Sequence, residues 1–517
     1  MRYMLAAGLA GALALTMSTT ALAATITVNT VSDESTSGIG LCSLRKAINN
    51  ANAESDTTAG DCVAGTRADT INFSVSGTII LSRTLPAIEH ILKIDGTGQR
   101  ITVDGADRYQ VVAVKLGAAL NLKSVTVANG YDSSSAGGGI QNQGRLTVTK
   151  TILSGNSASE GGGIENEGTL AVIESAFVGN SATVIGGGID NRGRLTIATS
   201  IFSGNSAPEE GGGGIENYQG TLTITKSAFS RNASSSGQGG SIQNYQGTLT
   251  ITKSAFSRNS APNGGGIDNF GSLTISNSTF LGNSATSAFG GGILNDDTLT
   301  ITSSTFSGNS SNYGGGAIEN YATLTTTNST FSGNSSAAGG GIENDVNGTV
   351  TVINSTFSDN SSGYGGGIEN HNGKVTITNG TFSGNSAYPG EGGNIQNYGV
   401  LASLRSTILA ASSGGDCAGT ITDVGYNIAE DTTCRFEAVG SHNRINPKLD
   451  RSGLRNNGGP TRTVALEFSS PAIDAIPVAE CINQASPPKR ITTDQRGFPR
   501  ACQGTVACDI GAYEYQH

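Results

Sequence analysis

Acidic side chains recur at one position of a repeated Ile-x-Asn motif, and their type and spacing suit them to binding a cation. The middle residue of the motif is acidic in seven copies: Glu165, Asp190, Glu216, Asp268, Glu319, Glu343 and Glu369. Because successive residues of an extended chain point to opposite sides, and the flanking Ile and Asn point inward, we predict that the middle residue points outward. On stacked strands about 5 Å apart, such carboxylates would form a column of hard oxygen ligands suited to Ca²⁺.

A second interpretation of this column is a solvated polar face that keeps the protein soluble. Like charges stacked this closely repel one another, so counterions would be held loosely and without catalysis. Other copies of the motif carry an uncharged residue at the same position: Gln141, Gln243, Leu294 and Gln396. This exchange, together with the lack of any copy marked by a long loop, argues against one fixed active site.

The motif belongs to a unit of 24 to 27 residues that repeats between Gly137 and Asn397. A typical copy reads Gly-Gly-Gly-Ile-x-Asn, a turn, Leu-Thr-Ile-Thr, and then Ser-Thr-Phe-Ser-Gly-Asn-Ser. A fixed period of this length is typical of a solenoid, and alternation of apolar with β-branched polar residues gives the strand period of two. We therefore predict an all-β parallel β-helix (solenoid) of about fourteen coils, with inward columns of Ile, Leu and Phe and ladders of Asn.

Composition and the chain start limit the function classes. The formal net charge is −10 and the pI is about 5.0, with Lys and Arg scattered, so nucleic acid and anionic membranes are not expected partners. Residues 1–23 have the pattern of a signal peptide, cleaved before Ala24; a transmembrane anchor is the alternative. No later stretch holds 18 consecutive apolar residues, so we expect no membrane-spanning segment in the mature chain. We also expect the exported chain to be a monomer.

All seven cysteines lie outside the repeats, at Cys42, Cys62, Cys417, Cys434, Cys481, Cys502 and Cys508. In an exported chain they indicate disulfides that stabilise the two ends of the solenoid. Proximity favours pairing Cys42 with Cys62 and Cys417 with Cys434, and of the last three cysteines two would pair and one would remain. A zinc site is the alternative, but no Cys-x-x-Cys pair is present.

Near the N-terminus, residues 41–51 are the clearest helical candidate, because Leu44, Ala47, Ile48 and Ala51 share one helix face. A short helix laid over the first coil would cover its strand edges. Residues 41–50 resemble the N-terminal motif of the CSLREA family of exported bacterial repeat proteins, with Lys46 where that family usually has Glu. Residues 70–127 are similar to the entry of pectate-lyase-like right-handed β-helices, and this resemblance implies right-handedness.

Two further resemblances concern the repeats and the C-terminal tail. Phe-x-x-Asn at residues 280–283 and Gly-Gly-x-Ile at residues 290–293 resemble the repeats of polymorphic outer membrane proteins. The tail is similar to the choice-of-anchor Q module at residues 446–449, 457–461, 470–474, 494–497 and 509–514. The predicted organisation is therefore a signal peptide (1–23), a CSLREA-like cap (24–70), a parallel β-helix (71–415) and a disulfide-containing, choice-of-anchor Q-like module (416–517).

These resemblances imply a secreted or cell-surface bacterial protein of adhesin-like type, non-catalytic, presenting a long β-helix face to glycans or proteins. No spacing suggests a catalytic triad, a cofactor site or a dedicated metal site, so no catalytic, cofactor or metal residue is assigned. The first alternative is a Ca²⁺-dependent polysaccharide lyase or hydrolase, because similar β-helix lyases use outward carboxylates with Ca²⁺ and a basic residue. The candidate ligand or Ca²⁺ face is Glu165, Asp190, Glu216, Arg192 and Arg194.

An ice-binding β-solenoid is the second alternative, suggested by paired threonines on an outer face. The pairs are Thr223 with Thr225, Thr250 with Thr252, Thr300 with Thr302, and Thr376 with Thr378. Favourable β-propensity and cross-strand packing of threonine explain the same pattern without ice.

Overall fold

The chain folds into one long parallel β-solenoid of about fourteen turns. A computed structural model describes residues 23–133, 137–500 and 507–516. Residues 1–22 of the predicted signal peptide and the cysteine at position 502 lie outside the described residues. Each full coil contributes three strands, and strands of successive coils pair in parallel, so every series of equivalent strands runs along the rod.

The first and second strand series form one 27-stranded sheet. The first series, which carries the Ile-x-Asn motif, comprises Val112–Val114, Ile140–Asn142, Ile164–Asn166, Ile189–Asn191, Ile215–Tyr218, Ile242–Thr252, Ile267–Ser276, Ile293–Asn295, Ile318–Asn320, Ile342–Asn344, Ile368–Asn370, Ile395–Asn397 and Cys417–Gly419. The second series comprises Thr25–Val28, Ala68–Phe73, Ile91–Asp95, Ala119–Lys123, Arg145–Thr149, Thr169–Ile173, Arg194–Ala198, Thr221–Thr225, Thr298–Thr302, Thr323–Thr327, Thr349–Ile353, Lys374–Thr378, Leu401–Arg405 and Thr422–Asp423. Two of these strands, Ile242–Thr252 and Ile267–Ser276, are long enough to belong to both the first and the second series.

The third strand series forms a separate 16-stranded sheet. Its strands are Gly77–Ile80, Ile101–Asp104, Val125–Ala128, Ile152–Ser154, Ala176–Val178, Ile201–Ser203, Ala228–Ser230, Ala255–Ser257, Thr279–Leu281, Thr305–Ser307, Thr330–Ser332, Thr356–Ser358, Thr381–Ser383, Ile408–Ala410, Ile428–Ala429 and His442–Asn443. Short three-stranded ladders join the third series back to the first: Tyr131–Asp132, Ser157–Glu160 and Ser181–Ile185, and then Ser260–Ala261, Ser284–Ala285 and Ser310–Ser311.

Columns of identical residues confirm the predicted stacking. Ile140 pairs with Ile164, and the same register carries the file of eleven isoleucines to Ile395. The buried phenylalanine rings stack from Phe177 to Phe382, beginning with centroids 4.5 Å apart. Asn142 donates to Asn166 Oδ1 at 2.6 Å and starts an amide ladder that satisfies buried polar groups along the rod.

The ends of the solenoid carry the remaining elements. A helix spans Leu44–Ala53, capped by the Ser43 side chain, and its apolar face packs against Thr25–Val28 and Ala68–Phe73. No helix within the described ranges has the length and apolar character that crossing a bilayer requires. Disulfides join Cys42 with Cys62 and Cys417 with Cys434, the two pairs that proximity suggested, and also Cys481 with Cys508.

After His442–Asn443 the chain turns back and lies against the third strand series. This segment contains the antiparallel pairs Leu449–Arg455 with Thr463–Leu466 and Ile476–Pro477 with Ala507–Cys508, and a 3₁₀ turn at Val478–Glu480. Thr330 donates to the Arg462 carbonyl at 2.6 Å, and Ala512 N donates to Thr381 Oγ1 at 2.9 Å. Thr330 and Thr381 are therefore buried, whereas their equivalent Thr279 in an earlier coil is exposed.

Candidate functional site

The acidic residues of the Ile-x-Asn motif lie in a groove, not on an open face. All seven are buried, and Asp190, Asp268 and Glu319 have no exposed surface. The prediction of a solvated column is therefore wrong. Each strand of the first series is only three residues long in most coils, and the chain bends away at both of its ends. The segments before and after the strand consequently rise on either side of the middle residue and cover it.

We call this feature the acidic groove and define it by three columns. Its floor consists of the middle residues of the Ile-x-Asn motif, from Gln141 to Gln396. Its glycine-side wall consists of the residue before the glycine that opens each coil: Glu160, Ile185, Gly211, Gln238, Asn263, Phe289, Gly314, Ala338, Tyr364 and Glu391. Its asparagine-side wall consists of the residue after the motif: Gln143, Glu167, Arg192, Tyr218, Tyr245, Phe270, Asp296, Tyr321, Asp345, His371 and Tyr398.

Glycine at the start of each coil makes the glycine-side wall possible. Gly161 and Gly315 have φ of 59° and 61°, in the left-handed region that residues with a Cβ rarely adopt. A Cβ at Gly315 would also lie 2.3 Å from Glu319 N. Any residue larger than glycine would therefore clash with the floor strand at this turn. The wall itself is a parallel ladder, with bridges from Ile185 to Gly211 and from Gly314 to Ala338.

In the N-terminal half of the groove one arginine contacts several carboxylates. Arg192 lies 3.3 Å from Asp190 Oδ2 and 3.8 Å from Glu165 Oε1, and it reaches across the groove to contact Glu160. Burial raises the pKa of Asp190 to about 7, although the Arg192 charge lowers it; burial also raises the pKa of Glu165. The carboxylates of Glu160, Glu165 and Asp190 lie close enough together to hold a metal ion.

The structure thus brings together most of the predicted ligand face. Glu165, Asp190 and Arg192 are in contact, and Glu216 lines the same cavity as Arg192. Arg194 does not join them: it begins a strand of the second series, is exposed, and forms no ion pair within the described part of the chain. Glu160 was not predicted as part of this face, because its position before a run of glycines does not indicate which later coil its side chain contacts.

An open cavity of about 500 Å³ continues this half of the groove. Tyr218 and Tyr245 stack in its wall with ring centroids 5.3 Å apart. Glu210, Glu216 and Gln243 add polar atoms to the lining, and the Gln243 amide, oriented to satisfy its neighbours, donates to Glu216 Oε2 at 3.0 Å. The cavity therefore offers flat aromatic faces beside hydrogen-bonding and charged groups.

Apolar residues interrupt the groove at its centre. Leu294 replaces the floor acid there, and Phe289 meets Tyr321 from the opposite wall in an edge-to-face contact of 6.3 Å. Just before this point Asp268 is fully buried, and burial raises its pKa well above the usual range, with the Asp296 charge adding to the shift. The centre therefore divides the groove into two acidic halves.

The C-terminal half stacks Glu319, Glu343 and Glu369 in consecutive coils. Burial raises the pKa of Glu343 to about 7 and that of Glu369 to about 8, and it raises the pKa of Glu319 well above its usual range. Within the described residues, no lysine or arginine forms an ion pair with these three groups. Glu343 instead lies beside Asp345 and His371, and one ligand atom from each of these three residues falls within 4.8 Å of the others.

The predicted threonine pairs belong to the second strand series. One half-buried column of this series contains Thr223, Thr250 and Thr300 in register. A second column, two residues further along each strand, contains Thr225 paired with Thr252. Thr378 is buried, because Gln484 of the returning C-terminal segment contacts it. The threonine face thus keeps one continuous column in the middle of the rod, has Ser276 in place of threonine in the other column, and is covered near its C-terminal end.

Fold and groove together define a repeat protein of the parallel β-solenoid class with a ligand-sized surface groove. The family model of the Chlamydia polymorphic membrane protein repeat matches residues 303–321, a stretch that contains Phe306, Asn309 and Ile318 of the stacked columns. No curated protein matches the chain. The match and the solenoid support the resemblance of the repeats to those of polymorphic membrane proteins.

Proposed function

We propose that the chain is a non-catalytic, surface-exposed protein of adhesin-like type that binds an extended glycan in the N-terminal half of the acidic groove. The cavity beside Tyr218 and Tyr245 carries this proposal. Sugar rings present apolar C–H faces edged by hydroxyl groups, and stacked tyrosine rings beside carboxylate, amide and guanidinium groups complement both features. The groove follows the rod, so a chain of sugars fits it better than a single compact ligand does.

Binding of a glycan panel to the full chain, measured by calorimetry, tests this proposal. The double variant Tyr218→Ala, Tyr245→Ala is expected to weaken binding at least tenfold, because it removes both stacking faces. The matched control is Tyr388→Ala, which removes an exposed tyrosine outside the cavity. Equal affinity of the double variant and the wild type would contradict glycan binding at this site.

The Ca²⁺-dependent polysaccharide lyase or hydrolase stays a second candidate, because the structure places Glu160, Glu165 and Asp190 around Arg192. A carboxylate set that holds Ca²⁺ next to an arginine would provide the charges and the proton-transfer group that polysaccharide cleavage requires. Assays of acidic and neutral polysaccharides with and without Ca²⁺ decide between the two. Cleavage that Glu165→Ala or Asp190→Ala abolishes would replace binding by catalysis as the function.

The continuous part of the threonine face motivates the ice-binding alternative. Its test is inhibition of ice recrystallisation at micromolar protein, with Thr250→Arg as the disrupting variant. No effect of the wild-type protein removes this alternative.

The finer features of the predicted organisation complete the proposal. We infer an exported bacterial protein whose residues 1–23 are a signal peptide, with a right-handed coil and a CSLREA-like cap at residues 24–70, which include the Leu44–Ala53 helix. Residues 416–517, which include the segment that returns along the third strand series, would be a choice-of-anchor Q-like module. Fractionation of cells from medium, with N-terminal sequencing of the recovered chain, tests export; a mature chain beginning at Ala24 is the expected result.

A further inference from the structure

The C-terminal half of the acidic groove contains a compact group of metal-ligating side chains. Glu343, Asp345 and His371 come from two successive coils, and their ligand atoms lie within 4.8 Å of one another. Asp345 Oδ1 is 3.6 Å from His371 Nδ1. Asp345 and His371 are neighbours in the asparagine-side wall, and Glu343 stands on the floor between the walls, so the three donors converge on one side of the groove.

Buried carboxylates without partners supply an independent sign of a ligand here. Glu319 has no exposed surface, and its carboxylate lies within hydrogen-bond range of the Glu343 carboxylate, while no donor group among the described residues reaches either of its oxygens. Glu343 and Glu369, which are also buried, each leave one oxygen unpaired in the same part of the chain. Burying an ionised carboxylate is costly unless another charge compensates it. Two ionised carboxylates cannot hydrogen-bond each other, so a proton or a cation must neutralise this group.

Space for the carboxylates is provided by small residues in the glycine-side wall. Gly314 does not have a left-handed backbone, so its lack of a side chain is not required by φ. A Cβ at Gly314 would lie 1.7 Å from Glu343 Oε2 and 2.6 Å from Glu319 Oε2. The two oxygens therefore point into the same space, which only a glycine leaves free. The next wall residue is Ala338, whereas the wall residues on either side of this pair are the larger Phe289 and Tyr364.

We propose that Glu343, Asp345 and His371 bind a divalent transition-metal cation, with negative charge added by Glu319 from the preceding coil and by Glu369, two residues before His371. The imidazole decides the class of metal. Ca²⁺ and Mg²⁺ prefer oxygen ligands alone, whereas one imidazole nitrogen with carboxylate oxygens suits Zn²⁺ and its neighbours in the first transition series. The proposal concerns a different half of the groove from the glycan site and does not depend on it.

Calorimetric titration of the untagged, EDTA-treated full chain with Zn²⁺ tests the proposal. The expected result is one saturable site. His371→Ala and Asp345→Asn each remove a ligand and are expected to weaken Zn²⁺ binding by about 100-fold, whereas Glu369→Gln, which removes a nearby charge but no ligand, weakens it by about tenfold. His442→Ala removes a histidine of an unrelated segment and is the matched control, with unchanged affinity.

Three outcomes would overturn the assignment. Wild-type protein without a saturable Zn²⁺ site would show that protons neutralise the carboxylates. Binding that survives both His371→Ala and Asp345→Asn would place the metal elsewhere. Tighter binding of Ca²⁺ than of Zn²⁺ would exclude a transition-metal site. Urea unfolding in EDTA shows that the variants still fold; both substituted side chains retain solvent contact, so little loss of stability is expected.

Discussion

The two halves of the acidic groove bury the same kind of residue and differ in how its charge is neutralised. Glu165, Asp190 and Glu216 form the N-terminal floor, and Arg192 is the cation that contacts two of them. In the C-terminal half the residue equivalent to Arg192 is Asp345, which adds negative charge to the floor of Glu319, Glu343 and Glu369. The repeat thus fixes the floor of the groove, while one wall residue decides whether a carboxylate is compensated from within the chain.

This difference follows from stacking. Coils superpose equivalent residues at the inter-strand distance, which favours Phe on Phe and Asn on Asn but brings carboxylate onto carboxylate. An acidic column therefore needs a cation from a wall, a bound proton or an external metal ion. In the N-terminal half Arg192 supplies the wall cation for Glu165 and Asp190. In the C-terminal half the described residues supply no such cation, so a bound proton or a metal ion must compensate the charge.

The largest expected effect is the pH dependence of stability caused by the C-terminal half. Burial raises the pKa of Glu343 to about 7 and of Glu369 to about 8, from 4.5, so the folded chain holds more protons than the unfolded chain between these values. Stability is full below pH 4.5 and falls as pH rises from there through the raised pKa values, by on the order of 5 kcal/mol for Glu369 at about 1.4 kcal/mol per pKa unit. Urea unfolding in EDTA at pH 5 and pH 9 measures this loss.

The control for that measurement is the triple variant Glu319→Gln, Glu343→Gln, Glu369→Gln, in which the three groups no longer titrate. It should lose the part of the pH dependence that these three groups cause, whereas Asp190 and Asp268, whose pKa burial also raises, continue to titrate. A triple variant as pH-dependent as the wild type would show that the source lies elsewhere in the chain.

A second, smaller effect is expected from Arg192→Met, which keeps much of the side-chain volume but removes the charge. Asp190 then lacks its cation, and we expect a loss of about 2 kcal/mol in the free energy of unfolding at pH 8. At pH 5 the loss should be much smaller, because burial already raises the pKa of Asp190 to about 7 and the group is protonated there. Equal losses at both pH values would mean that Arg192 acts by packing alone.

Asp345→Arg transfers the N-terminal arrangement into the C-terminal half. The new guanidinium would stand beside Glu343 as Arg192 stands beside Asp190, so we expect a gain of about 1 kcal/mol at pH 8 and complete loss of Zn²⁺ binding. Asp297→Arg, a charge change of the same size just outside the asparagine-side wall, is the control. If this variant were stabilised and still bound Zn²⁺, the residue at position 345 would not be a ligand of the metal site.

The smallest effect is expected from Phe289→Leu, which keeps an apolar side chain but removes the edge-to-face contact with Tyr321 at the centre of the groove. An aromatic pair of this kind contributes about 1 kcal/mol beyond burial. Because the two halves are neutralised separately, Zn²⁺ affinity and the pH dependence should not change. A shift in either would show that the halves are coupled through the centre.

The repeat explains why the stacked columns could be predicted from the sequence and why the burial of the acidic residues could not. The columns of Ile, Phe and Asn were predictable, because each copy places the same residue at the same offset and parallel stacking aligns them. The burial of Glu165 and Asp190 was not, because it depends on the direction in which the chain turns before and after a three-residue strand. Contacts such as Glu160 with Arg192 join different coils and walls, and no local pattern encodes them.

Anomalous diffraction from crystals grown with Zn²⁺ compares the two halves most directly. The prediction is a single strong peak between Glu343, Asp345 and His371, and none between Glu160, Glu165 and Asp190, where Arg192 already supplies the positive charge. A peak in the N-terminal half, or no peak beside His371, would contradict the claim that a wall residue decides how each half is neutralised.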